Sequence, residues 1–412
     1  MSAAVLHLFD AIGIELEYMI VDRDTLAVLP VADRILAAAA GKVVSELSMG
    51  PLAWSNELVL HVIELKTEGP APTLTGMADA FQADVRRIDD LAAPLNGRLM
   101  PTGCHPWMDP QTETVLWPHE YSPVYQAYNR IFGCRGHGWS NLQSMHINLP
   151  FQGDEEFARL HGAIRLLLPI MPALTASSPI LDGRPTGYLD NRMAVYRHNA
   201  DRVPAVAGHI VPEPVCSAAD YDRQIYNPMF AAIGPLDPDG VLRQPFLNSR
   251  GAIARFERGA IEIRVLDVQE CPAADLAVAA LVQGALRALC RERWGAVDDM
   301  QALSTEHLAD LLTAVIRRAD DAVIEDRAYL RLLGVNDRAA TAGEVWRHLA
   351  AACVPESALD PALAGPLRTM LQRGCLARRI LHALGQNPHQ RRLAEIYRAL
   401  CDCLHQGTMF DG

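Results

Sequence analysis

The chain has 412 residues, half of them hydrophobic, with 21% charged, 6% aromatic and a formal net charge of −12. That size and apolar content support a substantial buried core and exclude a disordered chain. The negative charge excludes general binding to a phosphate backbone, so nucleic acid is not expected as a partner.

The first β-like run is Gly13–Asp22, in which acidic and apolar residues alternate. A strand there puts Glu15 and Glu17 on one face and Ile14, Leu16 and Tyr18 on the other. A helix is expected from about 31 to 40, then a second extended run from Glu57 to Thr67. Glu57 and Glu64 bracket a very apolar stretch at odd spacing. A regular strand would separate them, so they share a site only through a bend, a bulge or a strand that starts after Glu57. A long helix is expected over 75–93, stopped by Pro94, and another strand over 99–104. The glycine-rich stretch 133–138 reads as a flexible loop. It leads into Ser144–Leu149, whose alternation puts His146 and Asn148 on one face. A helix is expected from 155 to 176, then mostly loops to about 240. Ile261–Leu266 is a clear strand with Glu262 and Arg264 on the same side. From Ala274 onward the pattern is helical almost to the end.

Charged strand faces beside many helices indicate an α+β protein with a mostly antiparallel sheet. The expected organisation is a single catalytic domain over 1–412. Residues 1–270 form its sheet-rich part and carry the site, and 271–412 form a helical part packed on it. Neither GxGxxG nor GxxxxGK[ST] occurs, so both common nucleotide loops are absent. The nine cysteines form no CxxC pair, and Cys401, Cys403 and His405 fall short of a four-ligand zinc site. A reduced, cytoplasmic protein is expected. The most apolar stretch, 163–176, is short for a bilayer and contains Arg165, Pro169 and Pro172, so no membrane association is expected.

Two carboxylates on one strand face repel unless a cation joins them. Glu15, Glu17, Glu57, Glu64, Glu262 and His146 lie on separate strand-like segments, and their convergence would make an oxygen-rich site for Mg²⁺, with Mn²⁺ as an alternative. Such ions hold nucleotide phosphates, and Arg264 would stabilise a moving phosphoryl group.

These residues resemble the glutamate–cysteine ligase family, in particular its bacterial carboxylate–amine ligase branch. Gly-Ile-Glu-Leu-Glu-Tyr, ending at Tyr18, is similar to the first metal-binding strand, and Glu57 to Thr67 to the second acidic segment. Gly103–Trp107 resembles a Gly-x-His-Pro segment. Ser144–Asn148 resembles the segment that brings a histidine ligand. Ala176–Pro179 with Gly183–Tyr188 is similar to a stretch near the substrate, and Gly259–Arg264 to the late strand with a metal-binding glutamate and a phosphate-facing arginine. The resemblance spans about 10 to 290. Many members carry His-x-His where this chain has His146 and Asn148, and the stretch 197–240 has no match.

The resemblance implies a fold like the glutamine synthetase catalytic domain, with helices covering a funnel-shaped antiparallel sheet. It implies ATP and Mg²⁺ as cofactors and amide or γ-glutamyl bond formation through an acyl phosphate. Glu15, Glu17, Glu57, Glu64, His146 and Glu262 would be metal ligands, with Glu262 and Arg264 serving catalysis. Arg264, Arg192 and Arg197 would meet phosphate or a substrate carboxylate. The expected partners are small amino acids or amines, and a homo-oligomer is compatible. The alternatives are a metal-dependent amide hydrolase, which would show more histidines, and a non-catalytic metabolite-binding relative.

Overall fold

A computed structural model describes residues 5–355, 359–385 and 389–412. In chain order its strands are β1 (Gly13–Asp22), β2 (Glu46–Ser48), β3 (Leu52–Asn56), β4 (Val62–Thr67), β5 (Gly97–Met100), β6 (Ser144–Pro150), β7 (Ile180–Leu181), β8 (Arg184–Pro185), β9 (Ala252–Arg255), β10 (Ala260–Asp267), β11 (Val323–Ile324) and β12 (Ala340–Thr341). Eight of them form one sheet in the order β2-β3-β4-β1-β6-β10-β9, with β5 also on β1. Every pairing in it is antiparallel. The architecture is therefore α+β with an antiparallel sheet, as the charged strand faces predict.

β1 is the centre of this sheet. One of its edges pairs with β4, and the other is divided between β6, along Gly13–Leu16, and β5, along Met19–Asp22. The register sets Glu15 opposite both Lys66 and His146, and Glu17 opposite Glu64. On the other face Ile14, Leu16, Tyr18 and Ile20 have no solvent exposure. Ile63 and Leu65 of β4, Met145 and Ile147 of β6 and Ile261 and Ile263 of β10 share their core with Ile35, Phe81, Leu160 and Leu276 from helices. Each such side chain contributes on the order of 1.5–3 kcal/mol through burial. A one-residue slip would exchange the two faces, so burial of the apolar face also holds the acidic one in register.

Several elements differ from expectation. The extended run 57–67 breaks into a turn followed by β4, and 97–100 replaces 99–104 as a strand. β2, β3 and β9 were not predicted. Helix 155–176 is interrupted: an α-helix over Gly153–Leu167, a 3₁₀ turn over Leu168–Ile170 and a short helix over Met171–Thr175. Pro169 and Pro172 account for this, since neither donates an amide hydrogen to the ladder. The stretch expected as loop contains helices Asn191–Tyr196, Ala218–Tyr221 and Asn227–Ile233. Asp190 and Ser217 cap the first two with side-chain oxygens.

Beyond β10, helices dominate. Pro272–Cys290 is apolar and packs against helices Met77–Ala92, Gly153–Leu167, Ala342–Cys353 and Pro361–Arg373. Among the described residues, two helical runs, Gly153–Thr175 and Pro272–Cys290, are long and apolar enough to span a membrane, but both are largely buried in the protein. A fully buried ion pair, Arg379 Nη1 to Glu270 Oε1 at 2.5 Å, ties helix Leu376–Leu384 to the end of the β10 segment.

Leu16 lies at the centre of the apolar face with no exposed surface. Leu16→Ala is expected to lower stability by about 2–5 kcal/mol, measured by denaturant unfolding. A loss below about 1 kcal/mol would mean that this face is not a packed core.

Candidate active site

The acidic face is assembled strand by strand. β1 supplies Glu15 and Glu17, β4 supplies Glu64 and Lys66, β6 supplies Ser144, His146 and Asn148, and β10 supplies Glu262 and Arg264. His146 stands among four of the carboxylates. Its Nδ1 lies 2.7 Å from Glu15 Oε2 and 3.9 Å from Glu262 Oε1, and its Nε2 lies 3.8 Å from Glu17 Oε1. Two overlapping sets of ligand atoms, Glu15/His146/Glu262 and Glu17/Glu64/His146, have all their members within 4.8 Å of one another.

Hydrogen bonds hold these groups in place. Asn148 Nδ2 donates to Glu15 Oε1 at 2.9 Å. The Ser144 amide and hydroxyl donate to Glu17 Oε2 at 2.6 and 2.8 Å. Ser55 Oγ donates to Glu64 Oε1 at 2.6 Å, and Lys66 Nζ lies 3.3 Å from the same oxygen. Glu262 takes two guanidinium groups, Arg255 Nε and Arg264 Nη1, each at 3.2 Å.

Titration behaviour follows from burial and charge. Burial pushes the Glu15 carboxyl up, but His146, through a hydrogen bond and its charge, together with Arg264, holds it down at about 2. Glu64 goes the other way: burial and the Glu15 charge outweigh Lys66 and raise it to about 7. Burial, with Glu17 and Glu64 close by, pushes Glu57 well above the ordinary carboxylate range. Burial lowers the basicity of His146, yet its bond to Glu15 leaves it raised overall. Carboxylates this strained by mutual repulsion are matched to a divalent cation, and a donor set of carboxylate oxygens with one imidazole suits a hard ion.

Glu57 reaches this region by the third of the routes its odd spacing allows. It does not belong to β4 but to the turn 57–61 between β3 and β4. That turn is pinned by Leu60 N to Val115 O and Trp117 N to Leu58 O. Glu57 lines the cavity with Glu17 but lies outside the two ligand sets.

Arg192, from helix Asn191–Tyr196, also lines the cavity. Its Nε lies 2.5 Å from Asp267 Oδ1, and its Nη2 donates to the Arg264 carbonyl at 3.2 Å. Arg197 is half-buried at the end of the same helix and does not line the cavity.

A bulge in β10 between Ile263 and Leu266 allows Arg264 and Asp267, at odd spacing, to lie on the same side of the sheet. Asp267 is then a hub beneath the site. It accepts from Ser177 N at 2.9 Å and Ser178 Oγ at 2.8 Å, and Ser177 Oγ accepts from Gly103 N at 2.8 Å. Gly103 has to be glycine here, since a Cβ would come within 2.4 Å of the Asp267 carboxyl. The Gly-Cys-His-Pro and Ala-Ser-Ser-Pro segments thus meet at one buried carboxylate.

The cavity in front of the acidic face has a volume of about 390 Å³ and an aromatic wall. Sequence reading missed that wall, together with Arg255, Asp267 and the support given by Ser144 and Ser55. Arg255 lies on β9, which has too little alternation to be recognised, and the aromatic residues come from separate helices, Ser122–Phe132, His137–Ser140 and Asn191–Tyr196, and from turns, so no local pattern joins them.

The solved structures most usefully compared include the 2.0 Å structure of the glutamate–cysteine ligase of Francisella tularensis in complex with AMP. It superposes with a TM-score of 0.57 at 15% identity, covering 96% of this chain and 88% of that one, which shows a common fold. Among sequence relatives, an uncharacterized protein of Archaeoglobus fulgidus is 34% identical over 81% of this chain and 91% of its own length. A protein of Rubrobacter xylanophilus, provisionally named glutamate–cysteine ligase 2-3, is 26% identical over 66% of this chain and 68% of its own length. The profile of the family described as Glutamate-cysteine ligase family 2 (GCS2) matches residues 11–399, and this chain belongs to that family.

Proposed function

We propose that this chain is an ATP-dependent ligase that joins a carboxylate to an amine through an acyl phosphate. The observation that carries the proposal is the pair of overlapping ligand sets on the acidic sheet face, Glu15/His146/Glu262 and Glu17/Glu64/His146. Glu57, on the turn near Glu17 and Glu64, would complete the ring of carboxylates. Family membership gives the ligase class. The AMP held by the Francisella protein supports ATP as the nucleotide used here. A single histidine in the ligand sets runs against a hydrolase.

Bound Mg²⁺, or Mn²⁺ in its place, would neutralise the triphosphate and the charge that develops in phosphoryl transfer. The chain's own groups do the rest. Asn148 and His146 aim Glu15, and Ser144 aims Glu17, so the ligand oxygens are oriented before any ion arrives. Arg264, with Glu262 as its partner, presents a planar cation to the transferring phosphoryl group. Arg192, held by Asp267, braces the Arg264 carbonyl and keeps the bulge in shape. Arg197 would act only from outside the cavity, on a carboxylate near its rim.

In the first step a substrate carboxylate oxygen bonds to the γ-phosphorus as the bond to ADP breaks. In the second, an amine nitrogen bonds to the acyl carbon and phosphate leaves with the electron pair. Glutamate and cysteine, from the family's name, are the first substrates to test. An ATP-consuming enzyme with reduced cysteines fits the cytoplasm.

Hydroxylamine traps an acyl phosphate as a hydroxamate, so ATP-dependent hydroxamate formation over a panel of carboxylates tests the reading. Glu15→Gln and Glu262→Gln are each expected to lower the signal by at least about 100-fold with the fold retained. Near-normal turnover in both variants would remove the metal assignment.

Cation binding should also depend on pH. Glu64 is raised from an ordinary 4.5 to about 7. Its neutral form therefore favours the folded metal-free protein below pH 4.5, and that contribution is lost as pH rises through 7. A divalent cation pairs with the ionised form. The rise in Tm produced by Mg²⁺ is thus expected to grow between pH 5.5 and 8, and Glu64→Gln should flatten that growth. A Mg²⁺ effect independent of pH in the unmutated protein would contradict this.

A further inference from the structure

Two aspartates meet behind the acidic face, with one guanidinium beside them. Asp190 and Asp267 have no solvent exposure. Ser178 joins them. It forms a parallel bridge with Asp190, its carbonyl accepts from Asn191 N at 3.1 Å, and its hydroxyl donates to Asp267 Oδ2 at 2.8 Å. Arg192, two residues past Asp190, reaches Asp267 Oδ1 with its Nε at 2.5 Å. The Asp190 carboxyl itself lies within hydrogen-bonding reach of the Asp267 carboxyl.

The surroundings treat the two carboxyls differently. Asp267 accepts from Arg192, from the Ser177 amide at 2.9 Å and from the Ser178 hydroxyl. Asp190 engages only Oδ1, which accepts from Met193 N at 2.7 Å as the cap of helix Asn191–Tyr196. Its Oδ2 is buried and meets no donor. The charged groups acting on Asp190 are Asp267 and Arg192, and burial with the Asp267 charge pushes the nearby Cys104 thiol well up, so that it is neutral. On the other side, the Asp190 amide donates to the Ile316 carbonyl of helix Thr305–Arg318, whose Arg317 guanidinium lies over the Tyr188 ring.

An ionised Oδ2 with no donor, set against a second carboxylate and sealed from water, would suffer desolvation and repulsion together. A proton between the two carboxyls removes both, and carboxyl pairs of this kind titrate as a unit. Asp267 has the cation and the donors, so it keeps the charge, and the proton belongs on Asp190. Burial and the Asp267 charge, against the opposing effect of Arg192, push the Asp190 carboxyl well above its ordinary range.

We propose that Asp190 is a positioning residue for Arg264: it remains a carboxylic acid, donates its proton to Asp267, and so leaves Asp267 as the single anion that holds Arg192 against the Arg264 carbonyl. Two anions would compete for the Arg192 guanidinium. With one neutralised, Nε stays on Asp267 and Nη2 on the Arg264 carbonyl at 3.2 Å. That carbonyl belongs to the β10 bulge, from which the Arg264 side chain reaches the cavity. Asp190 does not line the cavity and acts only through Asp267 and Arg192. The consequence for catalysis rests on the ligase reading, whereas the shared proton does not.

Asparagine caps a helix about as well as aspartate and keeps an N–H where the acid has its O–H. In the hydroxamate assay, with a carboxylate that gives product, Asp190→Asn is expected to keep kcat within about threefold of the unmutated chain. Asp190→Ala is expected to lower kcat by about tenfold with little change in KM for ATP, the mark of support given to the transition state. Asp267→Asn strips Arg192 of its anion and is expected to lower kcat by at least about 30-fold. Damage from Asp190→Asn as great as that from Asp267→Asn would mean that Asp190 works as an anion, and overturns the proposal. An unchanged kcat in Asp190→Ala also overturns it, since Asp190 would then be a helix cap alone. Infrared difference spectra of the unmutated chain and Asp190→Asn at neutral pH read the proton without catalysis. Loss of the carbonyl stretch of an un-ionised acid is expected, and loss of carboxylate bands in its place overturns the assignment. Absence of hydroxamate with every carboxylate would remove the ligase reading, and the infrared result would still decide the shared proton, as it does if Asp267→Asn fails to fold.

Discussion

Four carboxylates share one face of a single antiparallel sheet, and the structure of the site follows from keeping them there. Glu17, Glu64 and Glu262 are buried and Glu15 nearly so. Two unit charges about 4 Å apart repel by about 4 kcal/mol in a partly screened interior. His146 relieves part of this by standing between them, and Lys66, Arg255 and Arg264 relieve part of it from the edges. The repulsion that remains falls on Glu64, which burial and the Glu15 charge raise to about 7, whereas His146 and Arg264 hold Glu15 at about 2. Carboxylates in this condition are suited to a cation, because the protein has already met the cost of bringing them together.

That cost is met on the reverse of the same strands. Ile14, Leu16, Tyr18, Ile63, Met145 and Ile147 are all sealed into the core. Because side chains alternate along a strand, their burial leaves the glutamates only one direction in which to point. The β10 bulge is the one break in this rule, and it has a use. It turns Asp267 toward the site side, where it gathers Arg192, Ser177 and Ser178. Glu262 of the acidic face and the buried hub Asp267 therefore lie on one strand, brought to the same side by the bulge between them.

The far wall of the cavity has different origins. It comes from the turn after β3, from helix Ser122–Phe132, from the short helix His137–Ser140 and from the stretch around Phe246–Ser249. These segments are tied down by bonds to the backbone and by Arg250, which is bidentate to Glu213 at 2.6 and 2.7 Å. The acidic sheet and the wall thus carry separate chemistry. The sheet carries the segments whose residues resemble the family, whereas the wall takes Asn199 from the stretch 197–240, for which the sequence offered no match.

Much of the sheet was legible in the residues themselves. Alternation in Gly13–Asp22, Ser144–Leu149 and Ile261–Leu266 announced three strands and the polar face of each, because a period of two is set by backbone geometry alone. The helical tail after residue 274 was equally plain. Asp267 gave no signal, since its placement depends on a bulge in pairing with β6. The contribution of Glu57 required a turn whose position is set by contacts with residues 115–117. The aromatic wall was hidden because its members come from four separate places in the chain, around 121–128, 139, 196 and 246, and meet only after folding. Local periodicity determined what each strand presents. Long-range pairing decided which strands are neighbours, and therefore which charges, donors and rings share a cavity.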